Sequence, residues 1–123
     1  MPFNELLGKT MVRVEKIGTD DRIEFETDQG ETFALYHSQD CCEEVVIESI
    51  TGDLSDLVGV PILMAEEAES PNDPPGYKHE YQPESQTWTF YKLRTINGSV
   101  DIRWHGSSNG YYSESVDFAK VSP

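Results

Sequence analysis

Thr87-Trp88-Thr89-Phe90-Tyr91-Lys92-Leu93-Arg94-Thr95 and Val100-Asp101-Ile102-Arg103-Trp104 are two alternating runs that flank Asn97-Gly98. Asparagine followed by glycine tolerates the positive φ angles of a type I′ turn, whose twist matches that of paired strands. A hairpin of this kind commits the chain to antiparallel pairing and decides which side chains share a face. Closed on Asn97-Gly98, it sets Leu93 opposite Ile102 and Tyr91 opposite Trp104, which makes one apolar face. The other face then carries Arg94 against Asp101, Lys92 against Arg103, and Phe90 against His105.

The first third of the chain repeats the period. Val12 and Val14 alternate with Arg13 and Glu15; Gly18-Thr19-Asp20-Asp21 then turns the chain into Arg22–Thr27, with Ile23 and Phe25 inward. Asp28-Gln29-Gly30 returns it along residues 32–37, so the opening is a three-stranded meander. Residues 45–50, 61–66 and 111–118 predict further strands. Residues 4–8 and 52–59 read as short helical turns, the second capped by Asp53 and stopped by Gly59. The expected fold is mainly β, an antiparallel sheet curled into a barrel or a two-layer sandwich with one or two short helical turns.

At 123 residues, 37% of them hydrophobic, the chain can bury one modest core and not two. It reads as a single domain, 1–123, in which residues 69–86, with four of the seven prolines, form a mobile loop. No run approaches the ~20 apolar residues of a membrane-spanning helix. The start, Met1-Pro2-Phe3-Asn4-Glu5, lacks the basic flank and apolar run of a secretory signal. Cys41 and Cys42 are neighbours, which rarely pair, so no bridge is expected. A reduced, cytoplasmic setting is the resulting expectation.

The net charge of −14 is concentrated. Residues 1–22 carry four basic and four acidic groups, and residues 78–123 carry five of each. Residues 23–77 hold fourteen acids, Glu24 to Asp73, and no Lys or Arg. Such a balance argues against direct binding of nucleic acid or of an anionic membrane, both of which need cations to meet phosphate. It fits either a solvated acidic face or a surface offered to a basic partner.

His37-Ser38-Gln39-Asp40-Cys41-Cys42-Glu43-Glu44 gathers the ligand types that zinc accepts, and His37, Asp40, Cys41 and Cys42 form a weak candidate metal set. The spacing is poor, with no C-x-x-C pair. The plainer reading is a strand connection in which Cys42 is buried as a small apolar residue. Glu43 and Glu44 would raise a nearby thiol's pKa, the wrong direction for a nucleophile. Phosphate-loop and hydrolase motifs are lacking, so no catalytic residue, metal or cofactor is expected.

Lys92, Arg94 and Arg103 share one hairpin face with Trp88, Phe90 and His105, a combination suited to a nucleotide or another planar anion. Asn109, Tyr111 and Tyr112 would form a tight turn or the rim of such a pocket. Because Lys92 and Arg103 would face each other directly, a carboxylate from residues 40–44, foremost Asp40 or Glu43, or else a bound anion, is expected within hydrogen-bonding reach of Lys92 or Arg103.

Three blocks, Leu35-Tyr36-His37-Ser38-Gln39-Asp40-Cys41-Cys42-Glu43, Trp88-Thr89-Phe90-Tyr91-Lys92-Leu93-Arg94-Thr95 and Ser108-Asn109-Gly110-Tyr111-Tyr112-Ser113-Glu114, carry a resemblance. They resemble signature stretches of a small uncharacterised protein family encoded by bacteriophages and by bacterial, prophage-like genomes. The resemblance runs from Leu6 to Phe118 and supplies no activity or site residues. It implies a phage-linked accessory protein in the host cytoplasm, where countering host defence is a common role. Two functions follow as expectations. One is a non-catalytic acidic module that binds or inhibits a host protein through its basic surface. The other is a pocket protein that captures a small anionic or nucleotide-like ligand.

Overall fold

The computed structural model describes residues 1–122 and contains two four-stranded antiparallel sheets. In the first, β1 (Met11–Ile17), β2 (Arg22–Thr27) and β3 (Thr32–Tyr36) form the expected meander, and β8 (Asp117–Ser122) pairs with β3. The second has the order β4-β7-β6-β5, built from β4 (Glu44–Thr51), β5 (Met64–Ser70), β6 (Ser85–Thr95) and β7 (Gly98–Ser108). Strand β4 leaves the meander to pair with β7, so the sheets stack instead of closing on themselves. The fold is a two-layer sandwich whose edge strands are β1, β8, β4 and β5. Two 3-10 turns, Phe3–Leu6 and Leu54–Leu57, complete it.

The core lies between the layers. Ile23, Phe25, Phe33 and Leu35 from the first sheet meet Ile47, Tyr91, Leu93, Ile102 and Trp104 from the second. Phe3 plugs one end, with its ring 4.6 Å from Tyr91 and 5.2 Å from Phe118. Alternation places most of these residues, and bulges account for the exceptions. The register of β1 shifts between Met11 and Arg13, so Met11 is buried whereas Val12, expected beside Val14 on the inner side, is exposed.

The hairpin register differs from the expectation. Thr95 pairs with Gly98, so Ile96 and Asn97 are the central turn residues, and neither has a positive φ. A type I′ turn on Asn97-Gly98 is therefore not formed. The reason is tertiary: the Leu54–Leu57 turn docks against this end of the hairpin. The Thr95 hydroxyl donates to the Asp56 carbonyl at 2.5 Å, and a Cβ on Gly98 would stand 2.9 Å from the Asp56 carboxylate. Gly98, at φ 154°, fills that tight space. Each β6 residue consequently meets a partner two positions earlier on β7 than expected: Tyr91 meets Ile102, Lys92 meets Asp101, and Phe90 meets Arg103. A shift of two preserves the faces. The apolar and basic sides are as expected, but Lys92 and Arg103 are not directly opposed.

Three boundaries move as well. The last strand is Asp117–Ser122, and residues 109–116 form a loop where a strand over 111–118 was expected. That loop presses on the sheet so closely that a Cβ on Gly106 would lie 2.5 Å from the Glu114 carbonyl oxygen. Strand β5 starts at Met64 and runs to Ser70, while Ser85 and Gln86 belong to β6, which shortens the expected 69–86 loop at both ends.

Candidate functional site

The outer face of the second sheet carries the basic residues singled out from sequence. Lys92, Arg94 and Arg103 do share it, and Trp88 and His105 stand next to them. Arg103 is fully engaged. Its Nε donates to Glu48 Oε2 at 2.6 Å, and its guanidinium lies 5.3 Å from the Trp88 ring and 5.9 Å from that of Tyr77. Glu48 holds the Arg103 pKa up, and Arg103 in turn holds the Glu48 carboxyl below its ordinary range.

The expected partner for this arginine was Asp40 or Glu43, and the register forbids both. Glu44 pairs with Ser107, whereas Arg103 pairs with Ser49, several residues further along. Val45 and Ile47 are buried on the inner face, so alternation turns Glu48 outward, and the pairing of Ile47 with Trp104 brings it beside Arg103. The bulge that follows adds Ser49 opposite the same arginine. No local pattern shows that β4 will pair with β7 in this register.

Residues 71–84 fold over the same face and bury Trp88, whose exposure is 0%. The Tyr77 ring packs edge-on against the Trp88 indole at 4.8 Å, and the His105 ring lies 4.4 Å away on the sheet. Asp73 ties the cover down by accepting from His79 Nε2 (2.8 Å), Gln86 Nε2 (2.9 Å) and Trp88 Nε1 (3.1 Å). The His79 contact, followed by the bonds from Gln86 and Trp88, holds the Asp73 carboxyl below its ordinary value. Burial, reinforced by the neighbouring His79, pushes His105 down. Asp73, Tyr77 and His79 went unnoticed in the sequence because nothing local marks where a proline-rich segment will land.

Two hollows remain on this face: one of about 170 Å³ lined by Ser49, Thr51, Phe90, Lys92, Asp101 and Arg103, and one of about 180 Å³ lined by Glu66, Glu67, Ala68, Phe90 and Lys92. Each is below the ~300–1,000 Å³ usual for ligand pockets. Lys92 and Arg94 are exposed there.

The second cluster joins residues 37–44 to the loop after β7. Glu43 is buried, with Oε2 accepting from His37 Nε2 at 2.7 Å and from the Asp40 backbone N–H at 2.8 Å. Its Oε1 accepts the Cys41 N–H at 2.9 Å. On its other side the His37 ring is held by the Ser115 carbonyl, to which Nδ1 donates at 2.7 Å. Neither nitrogen is turned to Asp40, Cys41 or Cys42, and among the described residues no group of three His, Cys, Asp or Glu is arranged to hold a metal. The cysteines correct two expectations. They are bonded to each other, a bridge that ties no separate elements together, and Cys42 is exposed rather than buried. Asp40, Asn109 and Tyr111 are also exposed, and Tyr112 is half-buried with its ring 5.1 Å from that of Tyr111. These residues sit at the far end of the sheet from Arg94, which pairs with Ser99. Lys92, Arg94 and Arg103 therefore do not form one pocket with Asn109, Tyr111 and Tyr112.

His37 and the backbone N–H groups of Cys41 and Asp40 hold the Glu43 carboxyl down to about 2, from an ordinary 4.5. A carboxyl depressed in the folded state adds stability above its unfolded pKa and loses that contribution as pH falls through the folded one. Glu43→Gln should accordingly be less stable than the parent at neutral pH, with the gap narrowing as pH falls from about 4.5 to about 2. Urea midpoints measured across that range test this; a gap constant with pH would show that the carboxylate charge is not what holds the loop.

Together the fold and these clusters define a small two-layer β-sandwich with a covered aromatic patch on one outer face. Within that class, residues 4–118 match a family profile described as a domain of unknown function (DUF7448), and the chain belongs to that family. No curated protein and no solved structure matches it.

Proposed function

We propose that this protein is a non-catalytic, phage-type accessory module that binds a basic surface of a host protein. The observation that carries the reading is how little of the acidic charge is spent internally. Among the fourteen acids of residues 23–77, Glu24, Glu26, Glu31 and Glu48 pair with Arg or Lys. Glu43 and Asp73 meet histidines. The other eight, among them Asp28, Asp40, Glu44, Glu66, Glu67 and Glu69, form no ion pair among the described residues, although Glu66 stands opposite Lys92 on β6, and these six are exposed. Uncompensated like charge of this density strains a small fold and steers association with a surface of the opposite sign. The ligand-pocket reading draws less support, because Glu48 neutralises Arg103 and the hollows on that face are small.

Association driven by exposed charge weakens as salt screens it. Partners recovered from host lysate on the immobilised protein should be retained at about 50 mM salt and lost at about 500 mM. A set of partners indifferent to salt would overturn the proposal.

A further inference from the structure

Residues 71–84 lie across the outer face of the second sheet without joining it. Four prolines remove backbone donors from the segment, and its one backbone–backbone hydrogen bond is internal, from the Tyr77 N–H to the Pro74 carbonyl. Side chains hold it down: Asp73 on Gln86 and Trp88, the Tyr77 ring on Trp88, and the Gln86 amide on the Pro71 carbonyl. Two histidines meet under this cover, with ring centroids 5.4 Å apart. His79 belongs to the cover, and its side chain is only 9% exposed. His105 belongs to β7. Gln86 fixes the hydrogen on His105: its Nε2 donates to Asp73 and to Pro71, so its Oε1 faces the ring and accepts from His105 Nε2 at 3.0 Å. A further proton goes to Nδ1 and makes the ring a cation. From the cover, that ring faces His79 and Asp73; from the loop after β7, Glu114; from β4, Glu44; and on its own strand, Arg103, already paired with Glu48. Asp73 is committed to His79, Gln86 and Trp88, and Glu114 to Thr87 and Ser108. Among the described residues no carboxylate is hydrogen-bonded to His105.

We propose that residues 71–84 are a proton-released strap, closed over Trp88 while His105 is neutral and opened when His105 becomes charged beside His79. Closure buries the His105 ring and sets it against a second histidine, and both oppose its charging. Opening hydrates the ring and takes His79 away from it. A histidine whose pKa is lowered in the closed form binds its proton more readily in the open one. The closed form is therefore fully favoured above the ordinary value of 6.5 and loses ground as pH falls below it. One proton changes the opening equilibrium by at most about tenfold per pH unit. The neighbouring carboxyls titrate in a lower window, since Asp73 and Glu114 both lie below their ordinary 3.8 and 4.5. Opening uncovers Trp88, which is 0% exposed when the strap is closed, and the Arg103 guanidinium beside it.

The test is solvent exchange of the two indole N–H groups, followed by NMR on the whole protein from about pH 7.5 to about pH 5 and normalised to free tryptophan. The Trp88 Nε1–H bonds to Asp73 under the strap and reports its opening; the Trp104 Nε1–H lies in the core and reports unfolding of the whole. Protection of Trp88 should fall about three- to tenfold over this range, with the midpoint of the His105 titration, and Trp104 should not follow it. His105→Gln, which cannot be charged, should hold Trp88 protection level with pH. His79→Gln, which can still donate to Asp73, should flatten the profile in part. Trp88 protection that is level with pH in the parent, or that falls in step with Trp104, would overturn the strap. If His105→Gln leaves Trp88 unprotected even at neutral pH, His79→Gln decides: a flattened profile supports the histidine pair, and one identical to the parent's overturns it.

Discussion

Trp104→Ala should lower the unfolding free energy by about 3–5 kcal/mol, a fifth or more of the ~5–15 kcal/mol typical of one domain. Trp104 is fully buried on the inner face of β7, between Thr89 of β6 and Ile47 of β4. No smaller side chain can fill that space from both neighbours at once, so removing the indole leaves a cavity at the centre of the sheet. For a chain of this size the expected fall in Tm is about 10–20 °C. The indole Nε1 has no hydrogen-bond partner, which makes Trp104→Phe informative. Phenylalanine keeps most of the apolar contact and removes the unpaired donor, so its cost should be about 1 kcal/mol or less. If denaturant midpoints place the Phe variant as low as the Ala variant, the Nε1–H is satisfied in solution and the account of this core is wrong.

Trp88→Ala should cost a similar amount, about 3 kcal/mol, yet unfold the protein differently. Trp88 also has no exposed surface, but what covers it is the 71–84 segment on the outer face rather than the other sheet. Its loss removes the surface on which Tyr77 packs and the Nε1 bond to Asp73. His79 and Gln86 then hold Asp73 without the ring beneath them. Residues 71–84 should become a preferred site of limited proteolysis in Trp88→Ala, and should not in a Trp104 variant of equal stability. Unchanged cleavage in Trp88→Ala would mean that the segment is held by something other than this cluster.

The contrast between the two tryptophans shows how much can be read from a linear pattern. Both lie in one alternating run or its partner, and alternation alone puts Trp104 on the apolar side and Trp88 on the other. It does not reveal that the outer position is buried too. That depends on where a proline-rich segment with no periodicity of its own comes to rest. Likewise Lys92, Arg94 and Arg103 were legible as one face, because a shift of two residues leaves faces unchanged. Which acid met Arg103 was not legible, because it rests on β4 pairing with β7, which sets Ile47 opposite Trp104 and Glu48 beside Arg103.

By itself, then, the order of residues determined the strands, their antiparallel sense, the two faces of the hairpin and the placement of negative charge in the middle of the chain. These follow from local rules: a side-chain period of two, turn-forming glycines, and simple addition of charges. The tertiary structure alone decided that the sheets stack instead of closing, since β4 crosses to β7. It also set the hairpin register, because the Leu54–Leu57 turn binds Thr95 and crowds Gly98. Finally, it placed β5 and its acids at the edge of a sheet, because strand order is settled by the packing of whole sheets, which no local stretch of sequence encodes.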